Sequence, residues 1–295
     1  MFTIFGIPSV VIFGQLTLGL INGAFYALLS LGLAVIFGLL NVVNFAHGAI
    51  FMTGAFVSWM LLNYIGIGYW GALVLAPLLV ACFGALLERS LIRHVYKLDH
   101  SYGLLLTFGL ALLIEGAFRQ GYGISGQPYP APPALQGGMN LGFMHLPIYR
   151  GWVFLASLLI CFGTWLMIEK TRFGSYLRAA TENPQLVQAF GINVPMMITL
   201  TFAFGAGLAG LAGVMAAPIY QVSPNMGANL IIVVFAVVVI GGMGSILGAI
   251  VSGFMLGLVE GITKVVYPEA SNIVIFVVMA LVLLVKPNGL FGRSA

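Results

Sequence analysis

No Asp, Glu, Lys or Arg precedes Glu88. An uncharged run of 87 residues cannot form the surface of a water-soluble domain, where roughly a quarter of residues are charged. A helix rises 1.5 Å per residue, so about 20 apolar residues cross a hydrocarbon core of roughly 30 Å. The run therefore holds three spans, or four short ones. The bias continues beyond it: 61% of the 295 residues are hydrophobic and 6% are charged. The expected fold class is all-α, a polytopic transmembrane helix bundle.

Breaks in hydropathy place spans at 9–39, 46–64, 70–87, 102–120, 151–168, 196–219, 229–245, 247–266 and 271–285, nine in all within a range of eight to ten. The first contains Asn22, Gly23 and Gly32, so it is either tilted or broken. No cation precedes it, as a cleaved secretory signal would require, and it is read as a retained span. Eight of the 11 Lys and Arg fall in three segments, after Leu87, after Ile168 and in the tail. The positive-inside bias puts those segments in the cytoplasm and, with nine spans, the N-terminus outside. The cations form no aromatic-interleaved patch, so nucleic acid is not expected as a partner. Cys82 and Cys161 lie in apolar runs without a CxxC partner or nearby His, which supports neither a disulfide nor a metal site.

The chain reads as one transmembrane domain over 1–295 with two informative loops. In the external loop 121–150, Pro128, Pro130, Pro132 and Pro133 exclude a regular helix. A polar cap over the bundle and a docking surface both fit it. In the cytoplasmic loop 169–195, Asn183 and Pro184 form an N-cap and N1 pair, and Gly191 suits the left-handed position after a helix. The two turns between them, Pro184 to Phe190, carry Leu186, Val187 and Phe190 as apolar anchors. So short a helix needs something to pack on, either its own bundle or a groove on another protein.

Catalytic patterns are missing. There is no GxxxxGK[ST] phosphate loop, HExxH or GxSxG, so no catalytic residue is assigned. Gly205, Gly207 and Gly210 match GxGxxG but lie inside an apolar span with no preceding strand, where close helix packing explains them. Gly244, Gly248 and Ser252 are spaced as one small-residue ridge, Gly253, Gly257 and Gly261 as a second, and Gly19 with Gly23 as a third. Asn22, Asn41, Asn44 and His47 are polar residues within the uncharged N-terminal third. The cluster at 41–47 fits a helix interruption lining a path or gate, and equally an interfacial turn in which Asn44 and His47 cap helix ends. Glu115 with Arg119, and Glu260 with Lys264, are i, i+4 pairs near external ends, read as interfacial pairs with snorkelling stems.

Five segments carry a family resemblance: NFAHGAIFMTGAF at 44–56, RAATENPQLVQAFGIN at 178–193, AGLAGLAGVMAAPIY at 206–220, VVVIGGMGSILGAIVSGFMLGLVEG at 237–261 and KPNGLFGR at 286–293. In order and together, they resemble the LivH-type permease subunits of bacterial branched-chain amino acid ABC importers. RHVYKLDH at 93–100 departs from the Arg-Pro-Leu-Arg run more usual there. The resemblance implies an inner-membrane subunit, embedded in the lipid bilayer and paired with a homologous second permease, that works with two cytoplasmic ATPases and a periplasmic solute-binding protein. It implies no cofactor in this chain, with ATP and Mg held by the ATPases. The ATPase-coupling segment would comprise Arg178, Glu182, Asn183, Pro184, Leu186, Val187, Phe190 and Gly191. Asn22, Asn44 and His47 are the candidates for the translocation path, and Gly244, Gly248, Gly253 and Gly257 for helix packing. The solute would be a branched-chain or other small amino acid, or a related small solute. An ATP-independent secondary transporter or channel for a small polar solute is the alternative, and it would have no use for an exposed capped helix at 184–190.

Overall fold

The computed structural model describes residues 3–4, 7–40, 44–96 and 98–292. Asn41, Lys97 and Arg293 lie outside the described residues. Apolar sequence folds into eleven helices: α1 (Ser9–Leu40), α2 (Ala46–Met60), α3 (Tyr69–Ser90), α4 (His100–Tyr122), α5 (Ile148–Lys170), α6 (Arg172–Glu182), α7 (Pro184–Ala189), α8 (Val194–Tyr220), α9 (Met226–Gly241), α10 (Ile246–Val266) and α11 (Val274–Val285). Two small antiparallel hairpins complete it, β1 (Thr3–Ile4) with β2 (Ile7–Pro8), and β3 (Gly138–Asn140) with β4 (His145–Pro147).

Seven of the helices are long and apolar enough to cross a membrane: α1, α2 with its terminal π turn, α3, α4, α5, α8 and α10. The protein is therefore a multi-pass membrane protein. At 1.5 Å per residue, α9 and α11 are only about 24 and 18 Å long, short of a full hydrocarbon core. Of the nine spans expected from the sequence, seven are helices long enough to cross a membrane, and the other two correspond to the short helices α9 and α11. The chain end folds back onto α9, where Leu290 N–H donates to the Ile240 carbonyl at 2.8 Å and Phe291 N–H to Gly241 at 3.1 Å. These bonds satisfy carbonyls at the last turn that have no partner within the helix.

α1 is the central element and is unbroken across Asn22, Gly23 and Gly32. Its glycines are contact points with other helices. A Cβ on Gly23 would sit 2.9 Å from Phe254 Cα, and one on Gly253 would sit 2.6 Å from Ala27 N. Gly257 meets the backbone of Gly19 and Gly23, and Gly261 that of Gln15 and Gly19. Helices α1 and α10 therefore run antiparallel with their backbones touching, the close packing that small residues permit in lipid. Gly205 packs on the Gly32 carbonyl and Gly210 on Val80, so α8 is held between α1 and α3.

One predicted ridge is not a helical feature. Gly244 lies in the α9–α10 turn at φ +84°, a conformation a Cβ disfavours, with Gly38 of α1 opposite it. Gly248 faces Gly241 within the same hairpin, and only Gly253 and Gly257 of the four candidates pack α10 on α1. The i+4 spacing was real, but the helix begins at Ile246, after Gly244.

In the loop between α4 and α5, Pro133 starts a 3-10 turn and the β3–β4 hairpin follows. Backbone bonds of 2.7 and 2.9 Å between Gln127 and Val222 fasten the loop to the end of α8. Tyr129 is buried beneath it, and burial pushes its phenol up to about 12.

Candidate functional site

The segment 169–195 is built from α6, α7 and the start of α8. Arg178 fixes α6 to the end of α5: its Nη1 donates to the Ile168 carbonyl at 3.0 Å and to Glu169 Oε2 at 3.3 Å. Glu182 ends α6 on the exposed side. The Asn183 side chain accepts the Leu186 N–H at 2.9 Å, and Pro184, which has no N–H to leave unpaired, starts α7. Gly191 stands at φ +82° and turns the chain out of the helix. α7 ends at Ala189, one residue short of the expected segment, with Phe190 as its C-cap.

The three apolar residues of this segment do not share one contact. Val187 is buried in a small cluster with Val35 of α1, Ile168 of α5, Leu177 of α6 and Val194 of α8. Leu186 and Phe190 are 54% and 77% exposed. One side chain therefore anchors α7 to its own bundle while two large apolar ones face outward. Of the two alternatives left open by the sequence, packing on its own bundle accounts for Val187 and leaves Leu186 and Phe190 without a contact of that kind.

Directly after α7, the Asn193 side chain caps α8 by accepting the Met196 N–H at 3.0 Å. One turn further, Thr199 Oγ1 donates to Glu88 Oε2 at 2.6 Å, and Tyr96 Oη donates to Glu88 Oε1 at 3.2 Å. Glu88 has no solvent exposure, and no cation within salt-bridge distance is found among the described residues. Burial and the adjoining carboxylate both raise the Tyr96 phenol above its ordinary value, so it remains a proton donor. A buried glutamate side chain held by two hydroxyls thus ties the C-terminal end of α3 to the first turns of α8. Sequence reasoning treated Glu88 only as the first charge in the chain.

Asn44 and His47 fall at the start of α2, both buried. Neither caps a helix. Phe45 occupies the N-cap position of α2 without a side-chain bond, and both polar atoms of the Asn44 side chain lack a partner. His47 Nε2 lies 3.1 Å from the Leu29 carbonyl of α1, an acceptor only, so that nitrogen carries the proton; Nδ1 has no partner. The capping account is corrected: the first turn of α2 lies inside the bundle, with Ala46, His47 and Gly48 all buried. Asn22 is half-buried about two turns further along α1, apart from that pair.

Glu260 and Lys264 form the expected i, i+4 pair, with the Lys264 side chain 36% exposed. Glu260 itself is 6% exposed and also accepts the Tyr26 hydroxyl of α1 at 2.8 Å, a burial the sequence did not indicate. Arg119 behaves as expected of an interfacial residue: half exposed, it donates to Glu115 at 2.6 Å and to Asn225 Oδ1 at 2.9 Å.

A family model described as branched-chain amino acid transport system / permease component matches residues 15–283. The chain is 29% identical to the high-affinity branched-chain amino acid transport system permease protein BraD of Pseudomonas aeruginosa, with 95% of each chain covered. It is equally similar to the LivH permease protein of Escherichia coli, 29% over 95% of both chains. The LivM permease protein of the same organism is 28% identical, covering 91% of this chain and 68% of LivM. With nine-tenths of its length matched to one family model, this chain belongs to the permease component family of branched-chain amino acid transport systems.

Proposed function

We propose that the protein is the membrane-spanning permease subunit of an ATP-driven bacterial importer for branched-chain or other small amino acids. In this reading it lies in the inner membrane, crosses it nine times with α9 and α11 as short crossings, and pairs with a homologous second permease. Two cytoplasmic ATPases, which hold ATP and Mg, supply the energy. A periplasmic solute-binding protein delivers the solute to the outer face, where loop 121–150 is available.

The observation that carries this reading is α7: a capped two-turn helix, held by Val187 and offering Leu186 and Phe190 to the outside. Such a pair of exposed apolar side chains suits a groove on a partner. A displacement of α7 has a short route inward, because α8 begins four residues after Phe190 and is bonded through Thr199 and Glu88 to α3. The backbone contacts between α1 and α10 let those helices shift without disengaging side chains. Asn44 and His47 hold unpartnered polar atoms beside α1, where a change in packing opens them to water or solute. A ligand or nucleotide moves such an equilibrium only through its different affinity for the two states.

ATP-dependent uptake of radiolabelled leucine into vesicles, with the assembled complex and binding protein, tests the proposal. Phe190→Ala should lower ATP-driven uptake while the chain stays in the membrane. Uptake that persists without nucleotide would favour the channel or secondary-transporter alternative.

A further inference from the structure

The inner ends of the helices leave a cavity of about 470 Å³ between α1 (Val35, Gly38), α5 (Trp165, Glu169) and α6 (Arg178, Glu182), closed by the α9–α10 turn and the C-terminal tail. This volume lies within the roughly 300–1,000 Å³ of small-molecule sites. Its two ends differ in chemistry. Val35 and Leu177 give it a buried apolar floor, whereas one guanidinium and two carboxylates stand at its exposed side. A planar guanidinium takes a carboxylate in two parallel bonds, and a carboxylate takes an ammonium. The complementary molecule is small, carries both charges at one end and is apolar at the other.

We infer that this cavity binds an amino-acid zwitterion from the cytoplasmic side and that its occupancy restrains the coupling segment. The inference rests on the reading of the chain as an amino-acid permease subunit. The α-carboxylate pairs with Arg178, the ammonium with Glu169 and Glu182, and the apolar side chain lies on Val35. The connection to coupling is direct. Thr181, in the cavity wall, shares its hydroxyl proton between the Leu177 carbonyl of its own helix at 2.9 Å and the Gly38 carbonyl of α1 at 3.3 Å, which brings α6 against α1, and Glu182 immediately precedes the Asn183 cap of α7. A ligand gripping both α1 and α6 favours the position of α7 in which they are together, and by linkage the movement of α7 changes the ligand's affinity. Solute accumulated inside would then slow its own import.

Trp165 makes the site observable. The other three tryptophans, Trp59, Trp70 and Trp152, lie at the outer ends of α2, α3 and α5, so Trp165 alone reports from the inner side. The experiment titrates leucine, up to about 10 mM to cover weak sites, into the nucleotide-free complex in nanodiscs without binding protein. A saturable change in tryptophan emission is expected, absent in Trp165→Phe and requiring at least about tenfold more leucine in Arg178→Gln. Because Arg178 also ties α6 to α5, Met243→Phe, an exposed cavity residue outside that tie, serves as a second variant and should weaken the response as well. 4-Methylpentanoate, lacking the ammonium, and 3-methylbutylamine, lacking the carboxylate, should each fail to reproduce it. In the same complex, supplied with saturated binding protein, excess leucine should lower ATP hydrolysis, and less so in Met243→Phe. A complex that drives leucine uptake without any Trp165 response, or that responds equally to both analogues, overturns the site alone. Loss of both uptake and response overturns the substrate reading with it.

Discussion

Val187 and Phe190 lie three residues apart on one short segment, and their replacement by alanine separates folding from docking. Val187 is 6% exposed, and Val187→Ala removes two buried methyl groups. At about 0.8 kcal/mol for each, plus a cavity term, the cost to stability is about 1–3 kcal/mol. Phe190 is 77% exposed, so Phe190→Ala should change folding by no more than about 0.5 kcal/mol. Its value lies in what it buries on a partner. Full burial of a Phe side chain contributes about 1.5–3 kcal/mol, and the exposed three-quarters gives about 1–2 kcal/mol, or roughly a 5- to 30-fold change in affinity. The assay compares membrane abundance of each variant with the affinity of the nanodisc-embedded permease pair for purified ATPase subunits. Phe190→Ala should keep its abundance and bind 5- to 30-fold more weakly; Val187→Ala should lose abundance first. Unchanged ATPase affinity in Phe190→Ala would refute the assignment of this face to docking.

Three further outcomes follow from the same geometry. Asn183→Ala deprives the Leu186 N–H of its acceptor and should destabilise α7 by about 1 kcal/mol, seen as faster amide exchange confined to residues 184–190. Gly257→Val drives a side chain into the Gly19 and Gly23 backbone and should prevent accumulation of the folded chain, whereas Gly14→Ala, with open space around it, should accumulate normally in a membrane blot. Glu88→Leu leaves the Thr199 and Tyr96 hydroxyls without their shared acceptor, at about 1–3 kcal/mol each. In that variant the ratio of solute imported to ATP hydrolysed should fall, while Glu88→Gln, which keeps one acceptor oxygen, should retain part of it.

What was legible in the sequence was local. Asn183, Pro184 and Gly191 announce a short helix because a cap, a fixed φ and a left-handed turn are satisfied by neighbours within a few residues. The apolar runs fix the long helices for the same reason, since lipid requires every backbone bond to be made within the segment. The ridge at Gly253 and Gly257 was readable from spacing, but the inclusion of Gly244 was not correctable without knowing where α10 begins. Burial of polar groups was the least legible. Glu88 depends on Thr199, 111 positions away, and Glu260 on Tyr26, 234 positions away. Asn44 and His47 looked like caps because their residue types suit that role; the packing of α2 on α1, set by residues on both helices, puts them inside instead.

Motion supplied from outside the chain is the core of this account, and reconstitution in liposomes measures it most directly. The permease pair alone should equilibrate or exclude leucine and never concentrate it, while addition of the ATPase subunits, binding protein and Mg-ATP should produce uphill accumulation. Concentration of leucine by the permease alone, under a proton or sodium gradient and without nucleotide, would contradict it.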